Sequence, residues 1–180
     1  MSDAFWIEAI RRGDERAFEA LYLEYKDRVY RYACSMSGVG PAAEDLVQDA
    51  FLGFLRNIDQ LRPNATVLPY LLRSVRNRHI DQKRSFASRG RPLETATRAT
   101  AGVPAPPDQS WERERHDLIQ EAIDSLPPDQ ADVVRLRLFG KLDYAAIGEE
   151  VSAPAATVRS RYRSALDSLR QRLGRTIGDV

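Results

Sequence analysis

The chain has a single cysteine, Cys34, in 180 residues, so an internal disulfide is excluded. Its two histidines, His79 and His116, are too few for a Cys/His zinc cluster, and no metal ion or organic cofactor is expected. No apolar run approaches the roughly 18 residues that a membrane span needs. The opening Met1-Ser2-Asp3-Ala4-Phe5-Trp6 lacks the basic start and apolar stretch of a secretory signal. A cytoplasmic protein is the expectation. No GxxxxGKS/T loop, no GxGxxG and no GxSxG occurs, which argues against the common nucleotide-binding and hydrolase sites. What the chain does have is 43% hydrophobic residues, enough for packed cores, and 29% charged residues, in keeping with a soluble protein.

The formal net charge of +1 conceals segregation. Residues 1–60 hold eleven acidic and seven basic groups. Residues 73–91 hold seven basic groups against Asp81 alone, and residues 157–176 six arginines against Asp167 alone. Two basic stretches and one acidic lobe point to two polyanion contacts and a further partner of another kind. Between them, Phe86–Ser110 carries four of the ten prolines and a run of Ala and Thr without apolar period. Such a composition cannot bury enough surface to offset ordering entropy, and it reads as a flexible linker with a reach of about 80 Å when extended. The expected organisation is a domain over 1–85, a linker over 86–110 and a domain over 111–180.

Both domains read as helical, giving an all-α chain; no stretch alternates with period two for long enough to argue a strand. Asp3 is expected to cap a first helix stopped by Gly13, and Asp14 to cap the second. Phe18, Leu21, Tyr22, Tyr25, Val29, Tyr32, Ala33 and Met36 then keep the i, i+3/i+4 period up to Gly38. Pro41 opens a third helix with Leu46, Val47, Ala50, Phe51, Phe54, Leu55 and Ile58 inward. After Leu61-Arg62-Pro63-Asn64, a fourth runs over about 65–85 with Val67, Leu71, Leu72, Val75 and Ile80 inward. The C-terminal domain is expected to hold four helices: Trp111–Ser125, burying Leu118, Ile119, Ala122 and Ile123; a second ending at Phe139; Tyr144–Val151; and Pro154–Leu173. A short helix, a Ser152-Ala153 turn and an arginine-rich helix make a helix-turn-helix pattern.

Three constellations carry chemistry. On the last helix, Val158, Leu166, Leu169 and Leu173 mark the buried side, while Arg159, Ser160 and Arg163 lie opposite and Thr157 and Arg161 sit near its start. An arginine fork matches guanine O6 and N7, and Thr157 with the first-turn N–H groups suits a phosphate. A solvated basic face is the plain alternative; the preceding helix and turn favour DNA. On the fourth helix, Arg73, Arg76, Asn77, Asp81 and Arg84 fall near one side, with His79 and Lys83 at its margins and Tyr70 one turn ahead. Charge with an aromatic surface suits unpaired DNA, although taken alone a salt-bridged surface with Tyr70 in the core explains these residues as well. On the third helix, Glu44, Gln48 and Asp49 share a face that Arg56 extends. Ordinary helix-start electrostatics or a protein-docking face accounts for them better than acid/base catalysis, because no histidine or metal cluster accompanies them.

Taken together, these motifs are similar to those of the extracytoplasmic-function (ECF) group of sigma-70 family sigma factors, compact members with only the second and fourth conserved regions. The resemblance covers about residues 14–85 and 117–173. Asp14-Glu15-Arg16-Ala17-Phe18-Glu19-Ala20-Leu21-Tyr22 resembles the opening of region two. Ala43-Glu44-Asp45-Leu46-Val47-Gln48-Asp49-Ala50-Phe51 resembles the helix that docks on the polymerase β′ clamp helices. Tyr70-Leu71-Leu72-Arg73-Ser74-Val75-Arg76-Asn77 and Ile80-Asp81-Gln82-Lys83-Arg84 resemble the segment that opens and holds the −10 element. Leu126-Pro127-Pro128-Asp129-Gln130 and Thr157-Val158-Arg159-Ser160-Arg161 resemble region four, which reads the −35 element. The chain departs from the family at Tyr70, usually tryptophan, at Ser152 and Ala156, usually glycines, and at Ser164, often arginine.

The resemblance implies a non-enzymatic transcription initiation factor that binds core RNA polymerase through its β′ clamp helices and β flap, directs it to promoter DNA and assists melting. It makes Glu44, Asp45, Gln48, Asp49 and Arg56 polymerase contacts. Tyr70, Arg73, Arg76, Asn77, Asp81 and Arg84 become −10 contacts, with Leu61 and Asn64 in a loop over 61–66 that forms a pocket for a flipped base. Thr157, Arg159, Ser160, Arg161 and Arg163 become −35 contacts. An anti-sigma factor is the further partner implied. The rival readings are a sigma mimic that occupies an anti-sigma factor without driving transcription, and a stand-alone helix-turn-helix regulator.

Overall fold

The computed structural model describes residues 2–62, 65–88 and 117–178, with side chains over 2–62, 65–85 and 117–172. Among the described residues the secondary structure is helical throughout, and the chain divides into two compact units, Met1–Ala99 and Thr100–Val180.

The first unit is built from α1 (Asp3–Arg11), α2 (Glu15–Ser37), α3 (Pro41–Arg56), a 3₁₀ turn (Ile58–Gln60) and α4 (Val67–Ser88). Asp14 caps α2 as expected, its carboxylate accepting from the Arg16 and Ala17 N–H groups at 3.0 and 3.2 Å. Pro41 takes the first turn of α3. Asp3 does not cap α1; Ser2 does, accepting from the Phe5 N–H. The Asp3 carboxylate is instead used at long range, accepting from the Tyr25 hydroxyl at 2.6 Å and from the Val67 N–H at 2.8 Å. It thereby supplies α4 with an acceptor for one of its unsatisfied first-turn donors and ties α1 to both α2 and α4. The Tyr25 phenol is held well above its usual pKa by burial and by this bond. Arg11 reaches across to the Ile58 and Leu61 carbonyl oxygens and anchors the 3₁₀ turn.

The core of this unit is Ile7, Leu21, Val29, Tyr32, Leu46, Phe54, Val67, Leu71, Leu72 and Val75, all fully buried. Each large side chain contributes about 1.5–3 kcal/mol by leaving water. Two phases differ from expectation. His79, placed at the margin of the basic face, is buried, and Ile80 is only half-buried. Leu72, Val75 and His79 are spaced i, i+3, i+7, so the buried stripe of α4 continues through the histidine. The backbone of α4 runs on to Ser88, three residues into the stretch read as linker; residues 89–110 lie outside the described residues.

The second unit holds α5 (described over 117–124), α6 (Pro128–Leu138), α7 (Tyr144–Val151) and α8 (Ala155–Gly178). Ile123, Leu126, Ala131, Val134 and Ala165 form a core cluster, with Phe139, Tyr162 and Leu169 packed against it. On α5 the apolar stripe is in phase, but of its four expected residues only Ala122 and Ile123 are buried; Leu118 and Ile119, expected inside, are 53% and 40% exposed. The buried Arg135 guanidinium is paired with Asp124. On α8 Val158 and Ala165 are buried, and Tyr162, Leu166 and Leu169 are half-buried, Tyr162 and Leu169 packing on the cluster; Ala165 and Tyr162 thus join the expected Val158, Leu166 and Leu169, and the Leu173 side chain lies outside the described residues. The helix continues past Leu173 to Gly178.

The corner between α7 and α8 is tight. Asp143 caps α7 by accepting from the Ala146 N–H at 2.8 Å. Ser152 ends it in the left-handed conformation (φ 52°, ψ 47°), and the Ala153 N–H returns to the Gly148 carbonyl at 2.9 Å. A residue with a Cβ is strained there, so Ser152→Gly is expected to stabilise the corner by about 0.5–1 kcal/mol. The result to look for is amide exchange slowed about twofold to fivefold across α7 and α8; unchanged or faster exchange contradicts it.

Candidate functional site

Three surfaces gather the residues singled out from the sequence. The first lies between α2 and α3. It is a groove of about 580 Å³ lined on the α2 side by Phe18, Tyr22, Lys26, Asp27 and Tyr30, and on the α3 side by Glu44, Val47, Gln48, Phe51, Leu52 and Leu55. Tyr22 and Phe51 meet edge to face with centroids 4.8 Å apart, and Phe18 closes the cluster at 6.4 Å from Phe51. Tyr22 and Leu52 remain 38% and 39% exposed, so the apolar floor is open to a partner. The Tyr30 phenol is pushed up to about 12, first by burial and then by its hydrogen bond with Cys34, and keeps its proton. Burial likewise raises the Cys34 thiol, which is a core side chain and not a nucleophile.

Of the five polymerase-contact candidates, Glu44 and Gln48 line this groove. Asp45 and Arg56 are exposed outside its lining, and Asp49 is bonded to Arg78 of α4 at 2.8 Å. With both partners about half exposed, that pair contributes at most about 1 kcal/mol. The helical period of α2 takes in Phe18 and Tyr22 together with the core residues Leu21, Val29 and Tyr32. The signal for a second face was present: Phe18, Tyr22, Lys26 and Tyr30 form an i+4 row beside the row that is buried, more apolar width than one core uses.

The second surface is the outward side of α4. Arg73, Asn77, Asp81 and Arg84 are exposed, spaced i, i+4, i+8, i+11 along one face, and Arg76 is half-buried beside them. Tyr70 stands at the head of this row, half-buried and edge-on to Phe54 with centroids 5.8 Å apart. Its hydroxyl lies 3.4 Å from both the Gly53 carbonyl and the Asn57 amide of the preceding segment. The ring is therefore part packing element and part surface. Leu61 is half-buried at the loop that precedes α4, held by the Arg11 bond to its carbonyl. Asn64 lies outside the described residues.

The third surface is the start of α8 in the second unit. Arg159, Ser160 and Arg163 are exposed on the side away from Val158 and Ala165, and Thr157 is half-buried. Arg161 turns to α6, pairing with Asp129 at 3.0 Å, and is only 32% exposed. Tyr144 at the first position of α7 faces two cations: the Arg137 guanidinium carbon is 4.8 Å from its ring centroid and that of Arg159 is 5.4 Å away. Among the described residues, no group of His, Cys, Asp and Glu is arranged to hold a metal ion, and no helix is long and apolar enough to cross a membrane.

Comparison with known proteins gives a consistent picture. Residues 21–89 match the family model for Sigma-70 region 2, and residues 122–171 that for Sigma-70 region 4. The RNA polymerase sigma factor CarQ of Myxococcus xanthus is 30% identical over 177 residues, covering 93% of this chain and 95% of the relative. The ECF RNA polymerase sigma factor SigW of Bacillus subtilis is 29% identical over 180 residues, covering 93% and 94%. Among solved structures, the sigma factor RpoE of Bartonella quintana, crystallised with the anti-sigma factor NepR, superposes with a TM-score of 0.68 at 22% identity over 87% of this chain and 96% of that one.

Proposed function

The chain belongs to the ECF group of the sigma-70 family of RNA polymerase sigma factors, and on that premise we propose a division of promoter-directing work among its three surfaces. In this reading the α2–α3 groove, with Glu44 and Gln48 in its lining and Asp45, Asp49 and Arg56 around it, docks on the β′ clamp helices of core polymerase. The α4 row of Arg73, Arg76, Asn77, Asp81 and Arg84, with Tyr70, Leu61 and Asn64, holds the opened −10 element. Thr157, Arg159, Ser160, Arg161 and Arg163 of α8 engage the −35 element, and the second unit meets the β flap. Residues 1–85 and 111–180 act as region 2-like and region 4-like domains joined through 86–110.

The observation that carries this reading is the disposition of the first unit. One helix, α3, turns carboxylates and an open apolar groove outward, and its packed neighbour α4 turns arginines outward. An apolar floor with a charged rim is the anatomy of a protein interface, whereas a cationic row suits a strand of phosphates. Base-pair opening then draws on binding energy, while nucleotide addition stays with the polymerase, in the cytoplasm. Regulation by an anti-sigma factor follows the relative crystallised with one.

Run-off transcription with purified core polymerase and a library of promoter fragments tests the reading. Defined start sites that depend on the chain are expected, and promoter binding by the chain alone is not. Transcription that is indifferent to the chain sinks it. On the selected promoter, Arg159→Ala is expected to lower discrimination between the cognate and a substituted −35 base pair by about tenfold or more. Equal loss on cognate and scrambled elements removes Arg159 from the readers.

A further inference from the structure

We propose that Tyr144 is a positioning residue for −35 recognition: its ring presets the guanidinium of Arg159. This rests on the assignment of Arg159 as a base reader and names the group that holds it ready.

Three helices bring the parts together. Tyr144 occupies the first position of α7 and is half-buried, with the Tyr162 ring of α8 tilted against it at 6.0 Å. Arg137 of α6 donates from Nη1 to the Leu142 carbonyl at 2.7 Å, which fixes its guanidinium 4.8 Å from the Tyr144 centroid. The tyrosine is thus held by packing and by an anchored cation before Arg159 reaches it. Arg159 is exposed and projects from the first turns of α8 with its guanidinium carbon 5.4 Å from the same centroid. Among the described residues Arg159 has no ion pair, in contrast to Arg161, which Asp129 occupies.

A guanidinium within about 6 Å of a ring centroid is attracted by the negative ring face, and the attraction leaves its N–H donors available for hydrogen bonding. A long arginine otherwise loses rotamer freedom on meeting a base edge, and that loss weakens discrimination. Holding the group near the ring beforehand removes part of that loss. Because the effect acts through Arg159 alone, it belongs to discrimination between base pairs and leaves general DNA affinity in place.

The test uses polymerase holoenzyme assembled with the full chain, bound to its selected promoter and to the same promoter with one −35 base pair changed. Tyr144 is replaced by Phe, by its fully fluorinated analogue and by Leu, each alone and together with Arg159→Ala. The fluorinated ring keeps the shape and packing of Phe but reverses the charge of its face, so it separates the ring's electrostatics from folding. Tyr144→Phe is expected to hold the discrimination ratio within about twofold. The fluorinated ring and Tyr144→Leu are expected to lower it by about threefold to tenfold. Neither should change the ratio further once Arg159 is alanine. A fluorinated ring that discriminates as well as Phe overturns the proposal. So does a loss that persists in the Arg159→Ala background, since Tyr144 then acts on DNA by itself. If Arg159→Ala alone leaves the ratio unchanged, the base-reader assignment fails and the positioning role goes with it.

Discussion

Replacing Leu52 by aspartate is expected to weaken binding to core polymerase by about thirtyfold or more while the chain stays folded. Leu52 lies in the α2–α3 groove and is 39% exposed, so a polar head there reaches water in the free chain. Once a partner covers the groove, the same carboxylate loses water at an apolar floor whose lining also includes the acidic Asp27 and Glu44 and a single cation, Lys26. Stripping an ion of water in an apolar contact is among the largest single penalties an interface can carry, and central apolar anchors commonly account for about 2 kcal/mol or more. Leu23→Asp is the control: Leu23 is 54% exposed on α2 but does not line the groove. Competition for labelled core polymerase gives the affinities, and circular dichroism reports the fold. Equal binding by wild type and Leu52→Asp would remove the groove as the docking site.

Gly148→Ala is expected to do the most damage in the second unit. A Cβ built on Gly148 falls 2.5 Å from the Ala153 carbonyl oxygen, closer than real contacts allow. The obstacle is backbone, in the turn that joins α7 to α8, so no side-chain rotation relieves it. Overpacking of this kind costs about 1–3 kcal/mol, and a backbone obstacle puts this case in the upper part of that range. Amide exchange across α7 and α8 should accelerate about tenfold or more, and −35 binding should fall on every sequence alike, because the whole reading helix loses its seat. Exchange rates equal to wild type would show that the corner tolerates the methyl group and would defeat the argument. The opposite sign expected for Ser152→Gly, four residues on, makes the pair informative: one position has no room for a side chain, the other has room but the wrong backbone angle.

These two positions also show which signals the amino-acid sequence carries. Local rules worked where the determinant is local. The Asp14 cap, the Pro41 start, the Gly38 stop and the α7–turn–α8 corner all follow from neighbours in the chain. The groove was legible only in part: the i+4 row of Phe18, Tyr22 and Tyr30 marks a second face on α2, but not that α3 lies beside it with Leu52 left open. Asp3 reads as a cap, yet it serves partners 22 and 64 positions away. Arg161 reads as a −35 contact, and nothing nearby in the chain announces Asp129. His79 reads as part of a basic face because its charge type outweighs its phase; Val75, four residues before it, carried the phase. For Leu118 and Ile119 the period was right and the burial was not, since periodicity tells which side faces inward but not how far the core extends along it.

The packing of α3 on α4 has a mechanical consequence. Phe54 against Tyr70, the Asn57 amide on the Tyr70 hydroxyl and the Asp49–Arg78 pair bridge that seam at two positions along α4, Tyr70 and Arg78. In the proposed reading, the helix that docks on polymerase and the helix that carries the arginine row are therefore braced directly against each other. If α3 is the anchorage and α4 the strand-binding edge, as proposed, the seam between them sets the distance from one to the other.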